Sequence, residues 1–198
     1  MELSSNHTYE ANSFRDQNFD GATVERSEFT ECIFSRCSFN DAAFAECRFV
    51  DCAFENCSFK LTTFPGCSFV SNRFKAATFI GVNWSQANLD QRGFLKPFDF
   101  DDCVIRLSIF MGVNLREVEM KNCAVHEVDF SDADLAGADL RGSDLEKSRF
   151  SQTNLAGADL TGSKNYVIDA GDNTLKKARF SLPEAMSLLY SLDIELIE

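Results

Sequence analysis

Eight cysteines and two histidines are the residues of this chain best able to do chemistry beyond packing. The cysteines fall in pairs twenty residues apart: Cys32 with Cys52, Cys37 with Cys57, Cys47 with Cys67, Cys103 with Cys123. Such pairs suggest disulfides or a metal centre. Zinc sites use closely spaced thiolates completed by imidazole; the sequence has no Cys-x-x-Cys, and the one histidine near a pair, His126 three after Cys123, falls at an outward position of the repeat. His7 lies two residues before Tyr9 at the start of the chain, and His126, one after Val125, reads as outward and solvated. There is no glycine-rich phosphate loop, no His-Glu-x-x-His and no nucleophile elbow. No catalytic group, metal or cofactor is expected.

Carboxylates are the remaining chemistry. Nineteen Lys and Arg stand against 31 Asp and Glu, a net charge of −12 over 198 residues. Phosphate binding rests on a basic surface, so this balance excludes a direct nucleic-acid binder and a surface drawn to anionic lipid. No apolar run approaches the ~18 residues of a membrane span. Met1 to Glu10 is polar and acidic and reads as having no secretory signal.

What positions these groups is an internal repeat. From Phe14 to Phe94 an apolar residue falls at every fifth position, 17 in succession, and from Phe100 to Leu160 another 13 follow. Of 20 Phe, 18 occupy this slot; Phe98 and Phe180 do not. The position two before it is small or short and holds all 8 Cys, and eight of the 10 Gly stand two after it, where a turn needs positive φ. A period of five matches neither helix nor strand. It reads as a short extended side followed by a corner, four sides closing a square coil of twenty residues. Coils then stack at ~4.8 Å with a continuous column of Phe and Leu inside. Cysteines one rung apart have Cβ atoms ~4.8 Å apart, beyond the ~3.5–4.5 Å of a disulfide. They read as reduced thiols acting as small apolar groups in a cytoplasmic compartment.

Ala133-Asp134-Leu135-Ala136-Gly137, Ala138-Asp139-Leu140-Arg141-Gly142 and Ala158-Asp159-Leu160-Thr161-Gly162 resemble the motif of the pentapeptide repeat proteins. The resemblance implies an all-β fold, a right-handed quadrilateral β-helix. The expected organisation is an N-terminal edge over residues 1–11, the repeat over 12–164, and a C-terminal capping and dimerisation segment over 165–198.

A solid column leaves function to the outer surface. Residues 99–163 carry 13 acids and 6 bases, net −7, whereas residues 1–98 carry net −3. Asp99, Glu119, Asp139 and Asp159 share one outward slot and predict a carboxylate ladder, with Asp134 and Asp144 on the adjacent sides and Asp129 opposite. Thirteen five-residue sides span roughly 16 Å, over which B-DNA carries about 9 charges. The acidic face is expected to imitate a duplex towards a basic groove.

Between Arg92 and Asp99 the repeat slips, reading as one inserted residue, and Leu95, Lys96 and Phe98 are candidates for display to a partner. After Leu160 the repeat fades at Asn165-Tyr166. Ser181-Leu182-Pro183-Glu184 then reads as a capping box opening a helix to about Leu192. Leu182, Ala185, Met186, Leu189 and Leu192 form its apolar face, and Ile194, Leu196 and Ile197 follow as a short strand. This is more apolar surface than one coil end needs, so it predicts a cap shared by two chains.

The tail from Ala178 to Leu196, and Gly81-Val82-Asn83-Trp84, resemble the albicidin-resistance member of the family, which is similar in plan to the quinolone-resistance (Qnr) members. The resemblance implies a homodimer joined through the C-terminal segment that binds DNA gyrase, mimics duplex DNA and shields the enzyme from drugs or toxins, with topoisomerase IV a further candidate. Many Qnr members carry longer loops, of which the slip near Phe94–Asp99 is the sole counterpart read here. The alternative reading is a scaffold or regulatory interaction protein unrelated to topoisomerases.

Overall fold

The computed structural model describes residues 3–89, 96–192 and 194. The chain winds as a parallel β-solenoid, four sides to a turn. Tyr9 lies opposite Phe29, Phe14 opposite Phe34 and Val24 opposite Phe44, each twenty residues on. The sides are named here from their first large residue: side 1 from Phe14, side 2 from Phe19, side 3 from Val24 and side 4 from Phe29.

Most strands are three residues long, with the middle one buried, as in Thr8–Glu10 and Ser13–Arg15. In so short a strand, period 2 turns one residue inward and its two neighbours outward. The inward rings stack at the rung spacing: Phe14 on Phe34 at 4.7 Å, Phe34 on Phe54 at 4.8 Å, and Phe59 on Phe79 at 4.7 Å. Around a turn, neighbours such as Phe49 and Phe64 meet edge to face, the geometry that aromatic quadrupoles favour.

The corners are uniform. From Asp16 to Gly81 every residue two past a slot has φ between 47° and 69°, glycine or not. Left-handed backbone costs an L-residue about 1–2 kcal/mol. The corner N–H groups bond to the next coil, as in Arg36 N–H to Glu55 O at 2.9 Å, so the strain is held by the ladder itself.

The short position two before the slot does more than fill space. Cys67 donates from Sγ to Phe44 O at 3.2 Å and accepts from Cys47 N–H at 3.3 Å. Ser143 repeats the pattern, donating to Met120 O at 2.6 Å and accepting from Cys123 N–H at 3.0 Å. These inward backbone groups would otherwise be orphaned in an apolar column.

The slip near Phe94 is larger than the sequence suggests. Phe74 lies opposite Phe100 and Phe79 opposite Ile105, so this coil takes twenty-six residues where its neighbours take twenty. Six residues, not one, are inserted. Phe94 and Leu95 lie outside the described residues. Phe98, expected on display, is fully buried, opposite Asn72 in a short position and 4.7 Å from the Trp84 ring. Lys96 rejoins the ladder, its C=O accepting from Ser71 N–H at 2.8 Å.

Pairing continues past Leu160, which faces Phe180 across twenty residues, so Phe180 does stand in the repeat register. The helix forms as a 3-10 helix over Glu184–Leu192, but the capping box does not. Ser181 Oγ accepts from Gly162 N–H at 2.9 Å, and Glu184 Oε1 accepts from Asn165 N–H at 2.7 Å. Both side chains bind the coil beneath instead of the helix's own amides. Leu188 packs on the core. Leu196 and Ile197 lie outside the described residues.

Candidate interaction surface

Among the described residues the interior is filled by side chains. The gap among the Phe rings amounts to ≈ 10 Å³, about the least that holds one water, and it is apolar. All eight cysteines are free and buried. Burial pushes the Cys57 thiol up to about 12. Cys52, Cys67 and Cys123 are also raised, by a hydrogen bond donated to the cysteine one rung away and by burial. Among the described residues no cluster could hold a metal ion, and no helix is long and apolar enough to cross a membrane.

Outside, the parallel register aligns Asp99, Glu119, Asp139 and Asp159 on side 1, between Arg73 before them and Arg179 after. The column is not the bare row of negative charge expected. Lys96 Nζ lies 3.0 Å from Asp99 and 3.6 Å from Glu119. Lys121 bonds Glu119 at 2.5 Å, Arg141 bonds Asp139 at 2.6 Å, and Arg179 bonds Asp159 at 2.9 Å. Residues i and i+2 of one strand point to the same face, so a base two after a carboxylate stands beside it. The Lys121 hydrogen bond holds Glu119 below the usual carboxylate range, and the Arg141 hydrogen bond does the same for Asp139.

The other carboxylates differ. Asp134 pairs with Arg116 at 3.1 Å. Asp144 lies 3.6 Å from His126 and 3.5 Å from Lys164, so His126 is half-buried beside an acid, not free in solvent as expected. Asp129 Oδ1 accepts from Ser131 N–H at 2.9 Å. Among the described residues no ion pair forms at Asp101, Asp102, Glu117, Asp129 or Asp132. Asp101 lies on side 1, and Asp102 and Glu117 occupy the corners on either edge of it. A shallow open groove of ≈ 300 Å³ runs beside them, bounded by Arg73, Lys75, Asp99, Asp101, Glu119 and Lys121. Of these unpaired acids sequence reasoning named Asp129 and passed over Asp101, Asp102, Glu117 and Asp132, which align with no acid on a neighbouring rung.

At the far end Leu182, Met186, Leu192 and Ile194 are exposed, Leu182 by 76%, whereas Ala185 and Leu189 are half-buried. Tyr190 and Val167, at 74% and 78%, add to the exposed apolar surface there.

These features define a parallel solenoid with a solid, mostly apolar column, outside which all the charged groups of the described residues lie. Residues 27–96 and 91–160 match the family model of the pentapeptide repeat region, and the chain belongs to that family. No curated protein matches it. Among solved structures it is similar to full-length QnrB1, a plasmid-mediated fluoroquinolone resistance protein, at 19% identity and a TM-score of 0.51, covering 94% of this chain and 100% of that one. HetL, a pentapeptide repeat protein involved in heterocyst differentiation regulation from the cyanobacterium Nostoc, is similar at 18% identity and a TM-score of 0.24, covering 88% of this chain and 87% of that one.

Proposed function

We propose that the chain is a non-enzymatic, cytoplasmic protein that binds DNA gyrase, a type II topoisomerase, in place of duplex DNA and so modulates it or shields it from inhibitors or toxins. The observation that carries this reading is the pair of unpaired carboxylates Asp102 and Glu117 at the two edges of side 1, beside the coil with the six-residue insertion. With residues 99–163 at net −7, they give a basic DNA-binding groove a focus of uncompensated charge. The ladder of Asp99, Glu119, Asp139 and Asp159 contributes shape and spacing more than charge, since each has a cation beside it.

The exposed Leu182, Met186, Leu192 and Ile194 support a homodimer through the C-terminal segment. A two-fold contact there brings the acidic halves together at the middle of one rod.

The test is a gyrase supercoiling assay with increasing protein, with and without a poison, repeated across salt. A fluoroquinolone is the poison to include first, since a protein of the same fold resists that drug class. Topoisomerase IV serves as the parallel target. Inhibition or protection that falls steeply with salt supports the reading; unchanged gyrase activity and no binding end it. The second reading, a scaffold or regulatory protein unrelated to topoisomerases, draws on the compensated charge of the ladder and predicts weak dependence on salt.

A further inference from the structure

At two rungs of side 1 the compensating cation stands two residues after the carboxylate, Lys121 after Glu119 and Arg141 after Asp139. The rung of Asp99 is built differently. Two residues on stands a second half-buried acid, Asp101. Arg73 and Lys75 lie in register on the rung before, and among the described residues neither forms an ion pair with these acids. Compensation comes from Lys96, three residues before Asp99. Its Nζ lies 3.0 Å from each carboxylate oxygen of Asp99 and 3.6 Å from Glu119 Oε1. Among the described residues no other cation pairs with two acids of the ladder.

Both partners in this contact are held. Ser71 N–H bonds to Lys96 O at 2.8 Å and Asn72 N–H to Pro97 O at 3.1 Å, which anchors the lysine backbone in the ladder. Asp99 Oδ1 also accepts from Glu119 N–H at 2.8 Å, which fixes the carboxylate beside the ammonium. Lys96 therefore folds back on side 1, its side chain 35% exposed, instead of projecting to a partner.

We propose that Lys96 is a specificity-determining residue of the acidic face: a built-in counter-ion that a partner's cations must displace before they contact Asp99 and Glu119. This rests on the reading of side 1 as the face offered to a basic groove. Bare carboxylates attract any polycation, because the attraction follows charge more than shape. Lys96 removes that pull at the two rungs nearest the enlarged coil. A groove of fixed shape recovers it by setting a cation at each carboxylate, while the flexible lysine stem swings to water. Discrimination then comes from weakening the shapeless partner more than the shaped one. Exposed ion pairs are weak, so the lysine is displaced at a cost of only a few-fold in affinity.

The experiment measures binding of the full chain to poly-L-lysine and to DNA gyrase, at low and at high salt. Lys96→Met is expected to bind polylysine about fivefold more tightly at low salt, as two exposed ion pairs are lost, and to lose that gain at high salt. Lys96→Arg keeps the charge and is expected to change little. Adding Asp99→Asn/Glu119→Gln to Lys96→Met is expected to remove the gain. Lys60→Met makes the same change of net charge on side 2, where Lys60 ends the strand Ser58–Lys60, and is expected to give less than half the gain. Gyrase is expected to gain less than polylysine from Lys96→Met. Circular dichroism confirms that each form is folded. The proposal is overturned if Lys96→Met binds polylysine no more tightly, if Lys60→Met matches it, or if gyrase gains as much as polylysine. Gyrase that binds no form ends the topoisomerase reading, and the polylysine comparison still decides whether Lys96 covers the two acids.

Discussion

Phe74 stacks on Phe100 with ring centroids 5.2 Å apart, although twenty-six residues separate them. One coil earlier Phe54 stacks on Phe74 at 4.8 Å across twenty. The column is continuous through the insertion. Deleting residues 90–95 restores a twenty-residue coil. Shortening a connection changes loop entropy by only about 0.6 kcal/mol per doubling of length. The deletion is predicted to leave thermal stability within a few degrees, measured by circular dichroism, and to weaken the effect on gyrase if the insertion takes part in binding.

Phe98 belongs to the core, against Trp84 and Phe69. Phe98→Ala is predicted to destabilise by about 3–5 kcal/mol in urea unfolding, the range for truncating a buried aromatic residue. A loss below about 1 kcal/mol contradicts this placement.

Cys67 bonds two backbone groups on the coil below. Cys67→Ala strands both and is predicted to cost about 1–3 kcal/mol. Cys67→Ser, copying Ser143, is predicted to cost markedly less. The same burial predicts that thiol reagents label none of the eight cysteines until the chain unfolds.

Glu119 and Asp139 have folded pKa values lowered mainly by their hydrogen bonds to Lys121 and Arg141. A lowered folded pKa contributes stability that is present above the unfolded value of about 4 and lost as pH falls through the folded one. The urea midpoint is therefore predicted to hold steady from neutral pH to about 5 and to fall below about 4. Replacing both Lys121 and Arg141 by Met should flatten that acid limb.

The period of five, with its Phe column and left-handed corners, was legible because each slot makes the same demand for bulk and each corner the same demand for a tight turn. The insertion was hidden because Phe94 keeps the five-residue phase by chance of spacing, so only the pairing of Phe74 with Phe100 reveals six extra residues. The capping box misled because Ser181 and Glu184 are also within reach of Gly162 and Asn165 on the coil beneath. The ladder's compensation was readable in principle: Lys121 follows Glu119, and Arg141 follows Asp139, by two residues on one strand face. The unpaired Asp102 and Glu117 were not, since their isolation depends on where the neighbouring cations reach.

Central to this account is duplex imitation by the uncompensated carboxylates Asp102 and Glu117 at the edges of side 1. The most direct measurement compares gyrase supercoiling with the unaltered chain, with Asp102→Lys/Glu117→Lys, and with Asp139→Lys. Lysine already occupies the same left-handed corner at Lys147, where φ is 56° against 54° and 57°, so the double reversal adds no backbone strain. The account predicts that the double variant needs at least about tenfold more protein for the same effect, and that Asp139→Lys, at a compensated rung, changes it less. Full activity in the double variant would contradict it.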